Sequence, residues 1–208
     1  MKKRTAEIKR KTKETDIKIK LNIDGKGTSE IDYPIPFLAH MFTLFTKHGL
    51  FDLTLKAKGD LEIDLHHLVE DTGLALGEAF AKALGKKAKI ERFGHASLPM
   101  DESLADVKAS IDLSGRPHFT FNAKFPKEMI YAELDGEKIK LSIDAEMLRE
   151  FFESFVYKAG ISLHVDLVRG KNTHHKIEAI FKAFGVALMR ACAINPRKEG
   201  IPSTKGVL

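Results

Sequence analysis

Apolar and polar residues alternate through Asp16 to Ile23, DIKIKLNI, the period-two pattern of a strand with one buried face. Asp24-Gly25 and Lys26-Gly27 supply turn chemistry, and Ser29 to Tyr33 are expected to form the returning strand. Pro36 opens a helix predicted to reach about Lys47, with Gly49 as its stop. Phe51 to Ala57 alternates again as a strand, and a long helix is predicted from His66 to Leu84. Further along, patterning predicts strands over 104–113 and 118–123, a helix near 144–158, a strand over 161–168 and a helix near 174–192. Strands followed by helices, twice over, indicate an α+β fold whose sheets carry helices on one face. The final residues, IPSTKGVL, are too short and too rich in Pro and Gly to fold alone. They are either frayed or recruited into a site.

The second set of elements repeats the first in sequence. His66-His67-Leu68-Val69-Glu70 returns 108 positions later as His174-His175-Lys176-Ile177-Glu178. The same offset matches Ala75 with Ala183, Gly77 with Gly185, Ala79 with Ala187 and Ala83 with Ala191. Upstream the offset becomes 110, aligning HMFTLFTKHGLFDLTL with EFFESFVYKAGISLHV and pairing Phe45 with Phe155 and Leu53 with Leu163. The chain therefore reads as two related α+β units over residues 1–90 and 91–195, followed by a tail over 196–208.

Composition narrows the chemistry. The 208 residues are 43% hydrophobic and 30% charged, which suits a globular protein with a substantial core. A net charge of +5 suits an anionic ligand and is too mild to demand nucleic acid. The single cysteine, Cys192, excludes an intrachain disulfide framework and fits a reducing compartment. No apolar run approaches the ~18 residues of a membrane helix, and the basic MKKRTAEIKRKTKE start lacks an apolar signal region. The expectation is a soluble cytoplasmic protein without a membrane partner.

The repeated HHxxE pairs carry the candidate chemistry. Residues at i and i+4 stand one above the other on a helix, so His66 with Glu70, and His174 with Glu178, can each clamp a metal ion. Such nitrogen and oxygen donors suit manganese, iron or zinc. His67 and His175 point about 100° away around the helix, so each pair of histidines serves two different ions. A single HHxxE reads equally well as a helix end with surface imidazoles, but two copies in register favour ligands. The order His-Glu-x-x-His of zinc proteases is absent. His40 lies on the first helix opposite Glu150 in the repeat, and both are ligand types, which suggests a third ligand per unit. His48, His95, His118 and His164 have no such partner and read as neighbours of a site or as surface residues.

Longer motifs carry a resemblance. IPFLAHMFTLFTKHG, DLHHLVEDTGLALG, PMDESLADV, DLSGRPHF, GKNTHHKIEAIFKAF and the terminal IPSTKGVL, spread from Arg4 to Leu208, closely resemble the imidazoleglycerol-phosphate dehydratase family. That resemblance implies two duplicated half-domains, each a four-stranded sheet with two helices on one face, of the type seen in domain 2 of ribosomal protein S5. It implies two manganese ions per active site and a homo-oligomeric shell of 24 subunits. The metal ligands it implies are His40, His66, His67, Glu70, Glu150, His174, His175 and Glu178. One departure is that Ala39 stands where the family usually has Asp.

The reaction implied converts D-erythro-imidazole-glycerol phosphate to imidazole-acetol phosphate and water in histidine biosynthesis. A proton must leave a carbon that has no carbonyl beside it, so electron withdrawal through the imidazole ring has to help. Glu14 matches the family's substrate-contacting glutamate, and Glu70 and Glu178 join it as catalytic candidates. His40, His48, His66 and Glu70 are implied to touch substrate as well as Glu14. Arg92, Arg116, Lys182, Ser203 and Lys205 match the phosphate pocket, where arginine's planar fork is favoured. Lys182 has separate support, since it lies four residues after Glu178 and shares its helix face.

Two other functions fit parts of this pattern. Duplicated HHxxE and a basic pocket would also serve a metal-dependent hydrolase or lyase acting on another phosphorylated small molecule. The same fold also occurs in RNA-binding modules, and the isoelectric point is about 9.1. Against nucleic acid stand the absence of Trp, only three Tyr, and no basic run interleaved with aromatics.

Overall fold

A computed structural model describes residues 3–208, with backbone only for 106–110. The first unit contains β1 (Thr5–Lys11), β2 (Thr15–Asn22), β3 (Ser29–Asp32), α1 (Pro36–Gly49), β4 (Asp52–Gly59) and α2 (His66–Leu84). The second contains β5 (Phe93–Met100), β6 (Ser103–Asp112), β7 (His118–Asn122), β8 (Glu128–Leu134), β9 (Glu137–Ile143), α3 (Ala145–Ala159), β10 (Ser162–Arg169) and α4 (Thr173–Cys192). The strand orders are β1-β2-β4-β3 and β5-β6-β10-β7, with β8 and β9 as a separate hairpin. In each sheet the last-named strand pairs in parallel with its neighbour, β3 with β4 and β7 with β10.

The strand after Gly27 does not return beside β2 as its turn residues suggest. It crosses to the far edge and runs parallel to β4, with Ile31 opposite Leu55. The place beside β2 is taken by β1, whose register sets Ile8 against Ile19. Asp52 ties down the intervening loop by accepting from Lys26 N at 2.8 Å, Thr28 N at 3.2 Å and Thr28 Oγ1 at 2.6 Å. These donors, the Thr28 hydroxyl foremost, hold the Asp52 carboxyl down at about 2.

Both helix pairs lie between the sheets. The α2 helix covers β1 and β2, and α4 covers β5 and β6, while α1 packs on α4 and α3 packs on α2. A single hydrophobic core runs through all four helices. Phe45 stacks on Phe184 at 5.3 Å between ring centres, and Phe184 meets Phe155 edge-on at 5.1 Å. No helix among the described residues is long and apolar enough to cross a membrane.

Glycines set the two helix crossings. A Cβ on Gly77 of α2 would collide with the Phe155 carbonyl oxygen of α3. A Cβ on Gly185 of α4 would stand 2.6 Å from the Phe45 carbonyl oxygen of α1. Gly77 and Gly185, like Phe155 and Phe45, are partners in the sequence alignment of the two units. Each crossing is therefore made by one unit's glycine on the other unit's phenylalanine. Gly→Ala ordinarily favours a helix by about 1 kcal/mol, but overpacking here is expected to cost about 1–3 kcal/mol. Gly77→Ala should therefore lower the thermal midpoint at fixed protein concentration. A raised midpoint would show that the helices can part without loss.

Candidate metal centre and catalytic residues

The α1–α4 crossing brings His40 to the first turns of α4. Its Nε2 lies 3.6 Å from Glu178 Oε2, and His174 Nε2 lies 3.1 Å from the same oxygen. These three side chains offer donor atoms all within 4.8 Å of one another. Glu178 is 6% exposed, whereas the His40 and His174 side chains are 48% and 47% exposed. The centre thus has a buried anionic floor and two imidazoles open to the outside. Burial opposes ionisation of Glu178, but Lys182, whose Nζ is 2.5 Å from Oε1, keeps its carboxyl below the usual range.

The third donor of this cluster comes from the other unit. His40 joins not the HHxxE of its own half but that of the second, because α1 packs on α4 rather than on α2. At the corresponding place, His66 Nε2 stands 3.6 Å from Glu70 Oε2 on α2. Among the described residues, Glu150 does not join them in a comparable three-donor set. The chemistry differs there, since Glu150 would bring a second carboxylate, which repels Glu70, while an imidazole attracts Glu178.

The second histidine of each motif turns away, as helix geometry requires, and meets a carboxylate through Nδ1. His67 Nδ1 is 2.9 Å from Asp60 Oδ2, and His175 Nδ1 is 2.8 Å from Glu102 Oε2. Hydrogen bonding to Asp60 raises the His67 pKa, and hydrogen bonding to Glu102 raises that of His175. The bond from His175, with the Asn172 and Lys171 amides, holds the Glu102 carboxyl far below the ordinary range. When Nδ1–H donates to a carboxylate, Nε2 keeps its lone pair for a metal, the usual way a protein orients an imidazole ligand. Sequence patterning did not single out Asp60 or Glu102. The available signal was an acidic residue in the loop leading to α2 and another inside PMDESLADV.

Glu14 occupies the β1–β2 turn and is exposed, with Oε2 4.0 Å from His67 Nδ1. His48, two turns along α1 from His40, is exposed, and partial burial with nearby Lys182 lowers its pKa. Ala39 is half-buried against the core, and its carbonyl accepts from Thr43 Oγ1 at 2.9 Å.

The expected phosphate residues divide between two places. Lys182 stays with Glu178. Arg92 lies at the other end of α4, where its backbone N donates to Ala191 O at 2.8 Å. Its guanidinium donates to both Asp112 oxygens at 2.7 and 3.0 Å and to Pro202 O at 3.0 Å. Two of its five N–H groups remain for a ligand. The tail is recruited here: Lys89 N donates to Gly200 O at 2.7 Å, and Ser203 sits half-buried with Lys205 exposed beyond it. Gly115, next to the exposed Arg116, packs against Leu208 at the end of this tail.

The family model for imidazoleglycerol-phosphate dehydratase matches residues 34–188. The imidazoleglycerol-phosphate dehydratase of Trichlorobacter lovleyi is 53% identical over 206 residues, covering 99% of this chain and 100% of that protein. That of Bacillus licheniformis is 52% identical over 205 residues, covering 99% and 100%. Among solved structures, the enzyme from Staphylococcus aureus superposes with a TM-score of 0.75 at 37% identity, covering 92% of this chain and 99% of that one. The structure from Pyrococcus furiosus gives 0.77 at 34% identity, covering 97% and 100%. With well over half its length matched by the family model and relatives half-identical from end to end, the chain belongs to the imidazoleglycerol-phosphate dehydratase family.

Proposed function

We propose that this chain is a hydro-lyase converting D-erythro-imidazole-glycerol phosphate to imidazole-acetol phosphate and water, a step of histidine biosynthesis in the cytoplasm. The observation that carries the reading is the three-donor cluster of His40, His174 and Glu178 in a chain of this family. Two imidazoles and a carboxylate are the donor set for a divalent ion of the manganese type, so the residues fit the group. Two such ions per site would be held by this cluster and by His66, His67, Glu70, Glu150 and His175, and when bound they would supply Lewis acidity to the substrate's imidazole ring.

The chain's own residues then have separate tasks. Asp60 and Glu102 fix the rings of His67 and His175 with Nε2 free. Glu14 takes the proton from the carbon bearing the middle hydroxyl, and a carboxylic acid gives a proton to the ring-side hydroxyl, which departs as water. The resulting enol tautomerises to the ketone by gaining a proton at the ring-side carbon. Arg92, Arg116, Ser203 and Lys205 receive the phosphate.

Distances support a site shared between subunits. From His174 to Ala191, beside Arg92, the helix advances 17 residues, about 25 Å at 1.5 Å each. A three-carbon chain with bonds of roughly 1.5 Å spans well under 10 Å. One molecule cannot reach both places on one chain, so a neighbouring subunit's phosphate cradle completes the site. This supports the homo-oligomer, with the 24-subunit shell as the proposed assembly.

The test is to supply the phosphorylated imidazole diol and follow ketone formation against phosphate release. Ketone without free phosphate is expected, abolished by a chelator and restored by manganese. Phosphate release would favour a hydrolase, and full turnover by metal-free protein would sink the proposal.

A further inference from the structure

Asp71 directly follows the ligand Glu70 on α2 and is only 6% exposed. Its Oδ1 is 2.6 Å from Arg10 Nη2 of β1, and its Oδ2 accepts from Thr15 Oγ1 of β2 at 2.5 Å. One carboxylate therefore ties both strands of the β1–β2 hairpin to the helix that carries His66, His67 and Glu70. Thr15 is itself buried, at 4% exposure. The turn between these anchors is closed by Thr12, whose Oγ1 accepts from Glu14 N at 3.0 Å and from Thr15 N at 2.9 Å. Glu14, at the tip, has its backbone fixed from both sides while its side chain stays exposed beside His67.

Stability alone gives a weak reason for this arrangement. The Arg10 side chain is 34% exposed, and a partly exposed ion pair contributes little to stability, so its retention suits a geometric task. A group that moves protons must lie within hydrogen-bond reach of the atom it serves. A hairpin tip held only by strand pairing would not meet that demand.

We infer that the buried Thr15–Asp71 hydrogen bond, completed by Arg10, is a strut that holds Glu14 against the ligand helix, making Thr15 and Asp71 positioning residues for the dehydration. This rests on the reading of Glu14 as the proton-transfer group. Thr15→Val removes the hydroxyl with little change of shape, while leaving Arg10 on Asp71.

Steady-state dehydration by the manganese-loaded enzyme tests it in Thr15→Val, Thr15→Ser, Glu14→Gln and the Val/Gln double variant. Thr15→Val should lower kcat by about tenfold or more, as misplacement near 1 Å can, with KM and bound manganese little changed. Thr15→Ser, which restores the hydroxyl, should recover most of kcat. In the Glu14→Gln background the same Val substitution should cost less than about twofold, because residues acting through one another are not additive. Thr15→Ala is measured in parallel, so that poor folding of the valine variant cannot hide the result. A Glu14→Gln defect with unchanged kcat in Thr15→Val and Thr15→Ala overturns the strut alone, as does an undiminished Val effect in the Gln background. Normal turnover in Glu14→Gln overturns the reading of Glu14 and the strut with it.

Discussion

Glu14→Gln is expected to remove most turnover, by about 10² to 10⁴-fold, the usual contribution of a positioned acid–base group. Glutamine keeps the length of the side chain and can still hydrogen-bond, but cannot accept a proton and pass it on. Glu14 is well placed for that task, because it is exposed at a hairpin tip and 4.0 Å from an imidazole expected to ligate metal. Its side chain makes no hydrogen bond with the rest of the chain among the described residues, so folding and assembly should be untouched. The loss should fall on kcat, with bound manganese and sedimentation unchanged. A loss below roughly tenfold would assign the main proton transfer to another group, Glu70 or Glu178 being the next candidates.

Stripping the metal is expected to break the proposed 24-subunit assembly into smaller oligomers, and manganese should rebuild it. His40, His174 and Glu178 provide three donors from one chain, while manganese takes about six ligands. The His66 and Glu70 side chains, 44% and 41% exposed, also face away from their own core. Substrate donors and those of a neighbouring chain can complete such half-open centres. An ion that binds only the associated form stabilises it by mass action, on the order of 4 kcal/mol per site at a thousandfold excess over Kd. Repeated around a symmetric particle, that term is large enough to decide the oligomeric state. Sedimentation with and without a chelator reads it directly. A particle unchanged after full stripping would mean that protein–protein contacts alone hold the shell.

Much of the fold was legible along the chain, and the omissions have physical causes. The four helices begin and end within a few residues of the pattern's expectation, since each carries an amphipathic stripe and a clear stop such as Gly49 or Gly160. β1 was hidden because its outer face is Thr, Glu and Lys and its inner face ends in Arg10, leaving Ala6 and Ile8 as its buried apolar residues. β5 contains Gly94 and Pro99, which an edge strand tolerates and which mask the pattern. The β8–β9 hairpin did carry a signal, Asp135-Gly136 between alternating runs, with φ of 51° and 84° at the turn.

The candidate site divides along the same line. Spacing of three or four residues is local, so His66 with Glu70, His174 with Glu178 and Glu178 with Lys182 follow from the helix repeat alone, as does the divergence of His67 and His175. Contacts between distant segments are not local. That β3 crosses to the far edge, that His40 meets the second unit's motif, that Asp60 and Glu102 hold the paired histidines, and that the tail lies at Arg92 all depend on which helix packs on which. The sequence determined two sets of candidate ligands and the faces they stand on. The tertiary structure decided their partners, because the crossings at Gly77 and Gly185 press each helix of one unit onto a helix of the other.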